Sequence, residues 1–185
     1  MNKSADGGRR AFIKGVVATL ALQPDIGLAK IAIDDTLPLL KAVVISRADL
    51  ASAGGIVAFD AWFESGGRER LVGGLLLNMA QILPSRPPKQ SLDRTIVAYV
   101  SNCPHEACQV RLESDPEIIA KAANGASIPS AVVLFCPCHF SMFDIGNDGS
   151  RFVGPAYRGL YRFKTTERGG SIIVDRVERA VVELF

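Results

Sequence analysis

The chain has 185 residues, 48% hydrophobic and 22% charged, which suits one domain around a single core and excludes a disordered chain. Its 21 Lys and Arg against 19 Asp and Glu leave a formal charge of +2, too small and too dispersed for nucleic acid to be the main partner. Four cysteines are too few for a disulfide scaffold, and a chain of this size can bury about 70% of its unfolded surface without covalent staples. Yet all four, with both histidines, fall in two short boxes.

At the N-terminus, Arg9 and Arg10, followed by Phe12, Ile13 and Lys14, precede the apolar run Gly15 to Leu22. The pattern resembles a twin-arginine export signal, with Gly8 where Ser or Thr is usual; the bland alternative is an amphipathic segment that carries two arginines. A membrane-spanning helix needs about 20 apolar residues, so this run is too short for a permanent anchor. Residues 1–33 are expected to form an export leader and 34–185 the domain. No Ala-x-Ala site stands out between Leu22 and Leu37, which leaves processing open and allows an uncleaved leader to hold the chain at a membrane.

Strands are expected at Ala42 to Ile45 and along Ile56, Ala58, Asp60, Trp62 and Glu64, with Ser65, Gly66 and Gly67 as a hairpin turn. Arg70 to Asn78 reads as the returning strand, although Leu75 to Leu83 fits a short helix equally well. Pro84 to Lys89, with three prolines, reads as an exposed connection. A strand resumes at Thr95 to Val100. Ser114 or Asp115 caps a helix from Pro116 to Ala123 that Asn124 and Gly125 end. Short strands follow at Tyr161 to Thr165, Ser171 to Val174 and Val181 to Leu184, with a turn at Glu167 to Gly170. Frequent turns between short strands favour an all-β antiparallel domain.

The first box is Cys103, Pro104, His105, Glu106, Ala107, Cys108; the second is Cys136, Pro137, Cys138, His139, Phe140, Ser141. Six Cys and His residues at such spacings admit a zinc site, or two structural disulfides with bystander histidines. Together, however, the boxes resemble the Rieske iron–sulfur proteins, with Cys-x-His in one loop and Cys-x-x-His in another. That resemblance implies a Rieske-type fold of stacked small antiparallel sheets, with a cluster-binding part over about residues 99–156. It assigns Cys103 and Cys136 to the inner iron of one [2Fe-2S] cluster, and His105 and His139 to the outer iron. It also implies a disulfide between Cys108 and Cys138, as in the cytochrome bc-type branch, which requires an oxidising compartment and agrees with export. Two neutral imidazoles in place of two thiolates bring the oxidised cluster to about zero charge and raise its potential.

The resemblance extends to tuning residues. Ser141 matches a serine whose hydroxyl donates to a bridging sulfide, whereas Phe143 stands where high-potential members have a tyrosine that bonds a cysteine sulfur. With one donor missing, an intermediate potential is expected. Gly154, Pro155 and Ala156 resemble the start of the proline loop that covers the cluster, with Tyr157 where many relatives have another proline. The interval from His105 to Cys136 exceeds the family's usual one. The chain is closest in style to the small subunit of periplasmic arsenite oxidase. This implies an electron relay from a large, molybdenum-containing catalytic subunit to a soluble cytochrome or cupredoxin. The alternatives are a quinol-oxidising bc-type Rieske subunit and an exported zinc-binding or disulfide-stabilised module.

Overall fold

The computed structural model describes residues 35–84 and 95–185. The expected leader, and the expected connection beyond Pro84, lie outside the described residues.

Among the described residues, chain order runs β1 (Thr36–Ser46), α1 (Arg47–Ser52), β2 (Ile56–Ser65), β3 (Arg68–Asn78), α2 (Met79–Ile82) and β4 (Ile96–Val100). There follow β5 (Arg111–Glu113), α3 (Pro116–Ala123), β6 (Val133–Phe135), β7 (Met142–Asp144), β8 (Ser150–Val153), β9 (Phe163–Arg168) and β10 (Ser171–Glu178). Six strands form one antiparallel sheet in the order β4-β3-β2-β1-β10-β9, and four form a second in the order β5-β6-β7-β8. The all-β expectation of stacked small antiparallel sheets holds.

Local chemistry accounts for the elements. Gly66 and Gly67 have φ of 61° and 72°, and Gly169 and Gly170 have 55° and 79°. Two consecutive left-handed residues make the tight hairpin turn whose twist matches its strands, which fixes the β2–β3 and β9–β10 registers. Pro38 sits inside β1 because the pairing of β1 with β10 shifts register between Pro38 and Val43, and a bulge tolerates a residue without an amide donor. α3 starts where the Asp115 side chain accepts from the amides of Glu117 and Ile118, and ends at left-handed Asn124. Asp115, rather than Ser114, is therefore the cap.

The segment Leu75 to Leu83 divides between the two expectations. β3 runs through Leu77 to Asn78, then α2 makes a single helical turn. Alternation fails there because the wall of β3 and β4 is buried on both sides. Leu76, Ile96, Ala98 and Val100 enter one apolar core with Phe63, Tyr161 and Val177, while Leu75, Leu77, Val97 and Tyr99 enter another with Cys103 and Cys136. A strand buried on both faces reads as a continuous apolar run.

Val181 to Leu184 corrects the expectation of a strand, because Arg179–Leu184 is a 3₁₀ helix. Glu178 and Val181 are buried and Leu184 is half-buried, while Arg179, Val182 and Glu183 are exposed and Ala180 packs partly against the core. That spacing of three is the period of a 3₁₀ turn. The expected strand at Tyr161 begins two residues later: Tyr161 and Arg162 instead close the large sheet, since Arg162 pairs with Tyr99 and the Val100 amide donates to the Tyr161 carbonyl at 2.8 Å. The edges β4 and β9 are thereby joined at the end of β4 that leads into the first Cys/His box.

Candidate metal centre

The first box is a loop tied at its base to β3. Ser101 donates its amide to the Gly73 carbonyl at 2.9 Å, and the Gly73 amide donates to Asn102 Oδ1 at 3.1 Å. A Cβ on Gly73 would collide with Ser101 Oγ and push that hydroxyl from its place beside Gln109. Asn102 Nδ2 donates to the Ala107 carbonyl at 3.1 Å and Ser101 Oγ to Gln109 Oε1 at 2.9 Å. Within the loop, the Cys103 amide donates to the Cys108 carbonyl and the Ala107 amide to the Cys103 carbonyl. Gly73, Ser101, Asn102 and Gln109 were not singled out from the sequence; the glycine within an otherwise regular strand was the available signal.

The second box is the turn between β6 and β7, closed by the Cys136 amide donating to the Ser141 carbonyl at 2.9 Å. Phe140 has φ of 60°, unusual for a bulky side chain. Its exposed ring stacks on Phe135 at 6.1 Å between centroids. A bond between Cys108 and Cys138 joins the two loops. Cys103 and Cys136 are free thiols, so the reading with two structural disulfides is set aside.

The candidate donors separate by depth. Cys103 and Cys136 are each 1% exposed. His105 and His139 lie at the surface with their Nδ1 atoms 3.3 Å apart and their rings nearly perpendicular. Two ligand atoms on one tetrahedral metal, at bonds of about 2.0–2.1 Å, are separated by roughly 3.3–3.4 Å, so the imidazole pair is spaced to share one metal. Around that pair, among the described residues, only Glu106 adds a ligand atom within 4.8 Å, and neither cysteine joins it. Donors grouped in this way suit two metal atoms in unlike surroundings better than one zinc ion.

Burial pushes the Cys103 thiol up to about 11, against the His105 amide, with the Cys136 sulfur raising it further and the Ser141 hydroxyl opposing. A thiolate at this depth therefore requires a positive partner, which bound iron would supply. Ser141 is fully buried, and its Oγ accepts from the Ala156 amide at 3.1 Å. That contact leaves the hydroxyl proton free to point toward sulfur. Gly154, with φ of 89°, packs so tightly on Ser141 that a Cβ would strike its backbone. Gly154, Pro155 and Ala156 thus lie against the second box, as the resemblance implies, and Phe143 shares the apolar core of Ala156 and both free cysteines. Glu106, also missed in the sequence, places a carboxylate 3.8 Å from His139 Nε2.

Sulfur inside and imidazole outside, around a centre of two metals, define one class of electron carrier. Residues 76–164 match the family described as the Rieske [2Fe-2S] domain. That segment carries a Rieske [2Fe-2S] domain, which implies one [2Fe-2S] cluster and the electron-transfer role of a Rieske iron–sulfur protein. Among solved structures, it is similar to the cyanobacterial plasma membrane Rieske protein PetC3 from Synechocystis PCC 6803, at 23% identity over 71% of this chain and 97% of that one, with a TM-score of 0.40. It is also similar to the soluble domain of the Rieske protein II (soxF) from Sulfolobus acidocaldarius, at 18% identity over 72% and 76%, with a TM-score of 0.47. No curated protein matches the chain.

Proposed function

We propose that Cys103 and Cys136 hold the inner iron and His105 and His139 the outer iron, in an electron-transfer subunit of an exported oxidoreductase. The observation that carries this reading is the surface pair of imidazoles over a buried pair of thiols. When bound, the cluster supplies a one-electron carrier of raised potential. The chain's own residues define the route: buried thiols keep water from the inner side, while the exposed His139 ring and the half-buried His105 ring beside it offer a short path to a docked protein. Their outward nitrogens are open to a proton or a hydrogen bond. Phe140, exposed beside His139, adds an apolar contact for that partner.

The finer reading is a relay from a molybdenum-type catalytic subunit, as in arsenite oxidase, to a cytochrome or cupredoxin. The Cys108–Cys138 bond supports a periplasmic site because such bonds persist in oxidising compartments, and the arginine pair near the N-terminus supports twin-arginine export. Among the described residues, no helix is long and apolar enough to cross a membrane. The test is to isolate the native protein with its partners, measure iron, and record electron paramagnetic resonance of the reduced state. The expected result is two irons per chain, a Rieske-type signal and a co-purifying molybdenum subunit; iron-free protein overturns the ligand assignment. The loop disulfide equally suits a quinol-oxidising bc-type subunit, and reduction by quinol in salt-washed membranes would favour that second reading.

A further inference from the structure

Tyr157 stands where many relatives have a second proline in the cover loop. Its ring is 59% exposed, yet its hydroxyl is tied on two sides. Tyr157 Oη lies 2.6 Å from Tyr161 Oη, and the two are 2.9 and 3.1 Å from Glu183 Oε2, so that one hydroxyl donates to the other and the second donates to the carboxylate. Glu183 belongs to the C-terminal 3₁₀ helix, outside the matched domain segment. The Arg158 guanidinium lies 4.3 Å over the Tyr161 ring and pairs with Glu178, so the base of this arrangement is itself held. On its other side Tyr157 is covalently next to Ala156, whose amide donates to Ser141 Oγ. Burial raises the pKa of both phenols, which keeps their protons available to the carboxylate.

We propose that Tyr157, Tyr161 and Glu183 form a latch that holds the cover loop against Ser141, so that these three positioning residues set the reduction potential from outside the ligand loops. A proline restrains a loop by fixing one torsion; here a hydrogen-bonded tyrosine fastens the loop to a distant turn. With the latch closed, the Ala156 amide occupies a lone pair of Ser141 Oγ and leaves its proton for sulfur. With it open, the loop lifts, the serine turns, and water reaches the centre. The inference rests on the reading that Cys103 and Cys136 ligate the cluster.

The test uses full-length, cluster-loaded protein in four forms: wild type, Tyr157→Phe, Ser141→Ala and the double variant. Amide exchange is followed in residues 154–160 and the reduction potential by redox titration. Tyr157→Phe is expected to speed exchange of the Ala156 amide at least about tenfold and to lower the potential toward that of Ser141→Ala. In the Ser141→Ala background, the same change should move the potential no further, because residues acting through one group are not additive. A Tyr157→Phe protein with wild-type exchange and potential overturns the latch, as does full additivity in the double variant. If Ser141→Ala alone leaves the potential unchanged, the latch has no route to the cluster and the proposal is overturned, whereas wild-type protein that takes up no iron would defeat the ligand reading instead. Should Tyr157→Phe not assemble, Glu183→Ala decides by the same outcomes. Failure of both to assemble also overturns the proposal, since a latch adjusts a loop already folded.

Discussion

Phe143 is fully buried, in the same apolar core as Cys103 and Cys136. A hydroxyl placed on its ring must find an acceptor or cost about 1–3 kcal/mol as an unmet donor, and the acceptor implied by the family is a ligating sulfur. Phe143→Tyr is therefore expected to raise the reduction potential with little loss of thermal stability. Redox titration beside a melting curve checks both parts; an unchanged potential with a lower melting temperature would sink the argument. Cys103 gives a second prediction. Its native thiol keeps a proton to about 11, against 9.0 for the unburied group. Between these values the native state binds more protons than the unfolded one, so the metal-free protein should lose stability as pH rises through that window. On the proposed ligand assignment, the Cys103 sulfur of the loaded protein would carry iron in place of a proton, and this loss should be absent. Urea midpoints of both forms below and within the window provide the measurement.

At the scale of elements, the two ligand loops belong to different parts of the chain: one leaves β4 and the other joins β6 to β7. The longer than usual interval between them folds as β5, α3 and the strand entry to β6. Closing 30 residues of chain between Cys108 and Cys138 removes unfolded-state freedom worth about 3–4 kcal/mol. Replacing both by Ser is expected to cost that order of stability in guanidinium unfolding and to quicken cluster loss in a chelator. An unchanged midpoint would show that the surrounding packing fixes the loops without it.

Legibility followed the range of the interaction. The Gly66–Gly67 turn and the Asp115 cap with Pro116 at the head of α3 are decided within a few residues, and both were readable. The two boxes were readable because metal and disulfide chemistry restricts residue type at short spacing. The double-faced burial of Leu75 to Leu77 hid strand from helix, and Val181 to Leu184 offered too few residues to separate a period of two from one of three. The seat of Asn102 on Gly73 and the bond of Tyr157 to Glu183 join residues distant in the chain, so no local pattern announces them.

For the whole molecule, β3 and β4 are a wall common to two interiors, one inside the large sheet and one beneath the ligand loops. The chain's single tryptophan, Trp62, lies on the outward face of β2, whereas visible colour would originate at the iron centre. These provide separate optical reporters for the two sides of that partition. A shared wall cannot melt on one side alone, so heating should bleach the solution and alter tryptophan emission in a single transition. Bleaching several degrees earlier would mean that the iron-bearing lobe can open as its own cooperative unit, leaving the larger body intact and ready to be recharged.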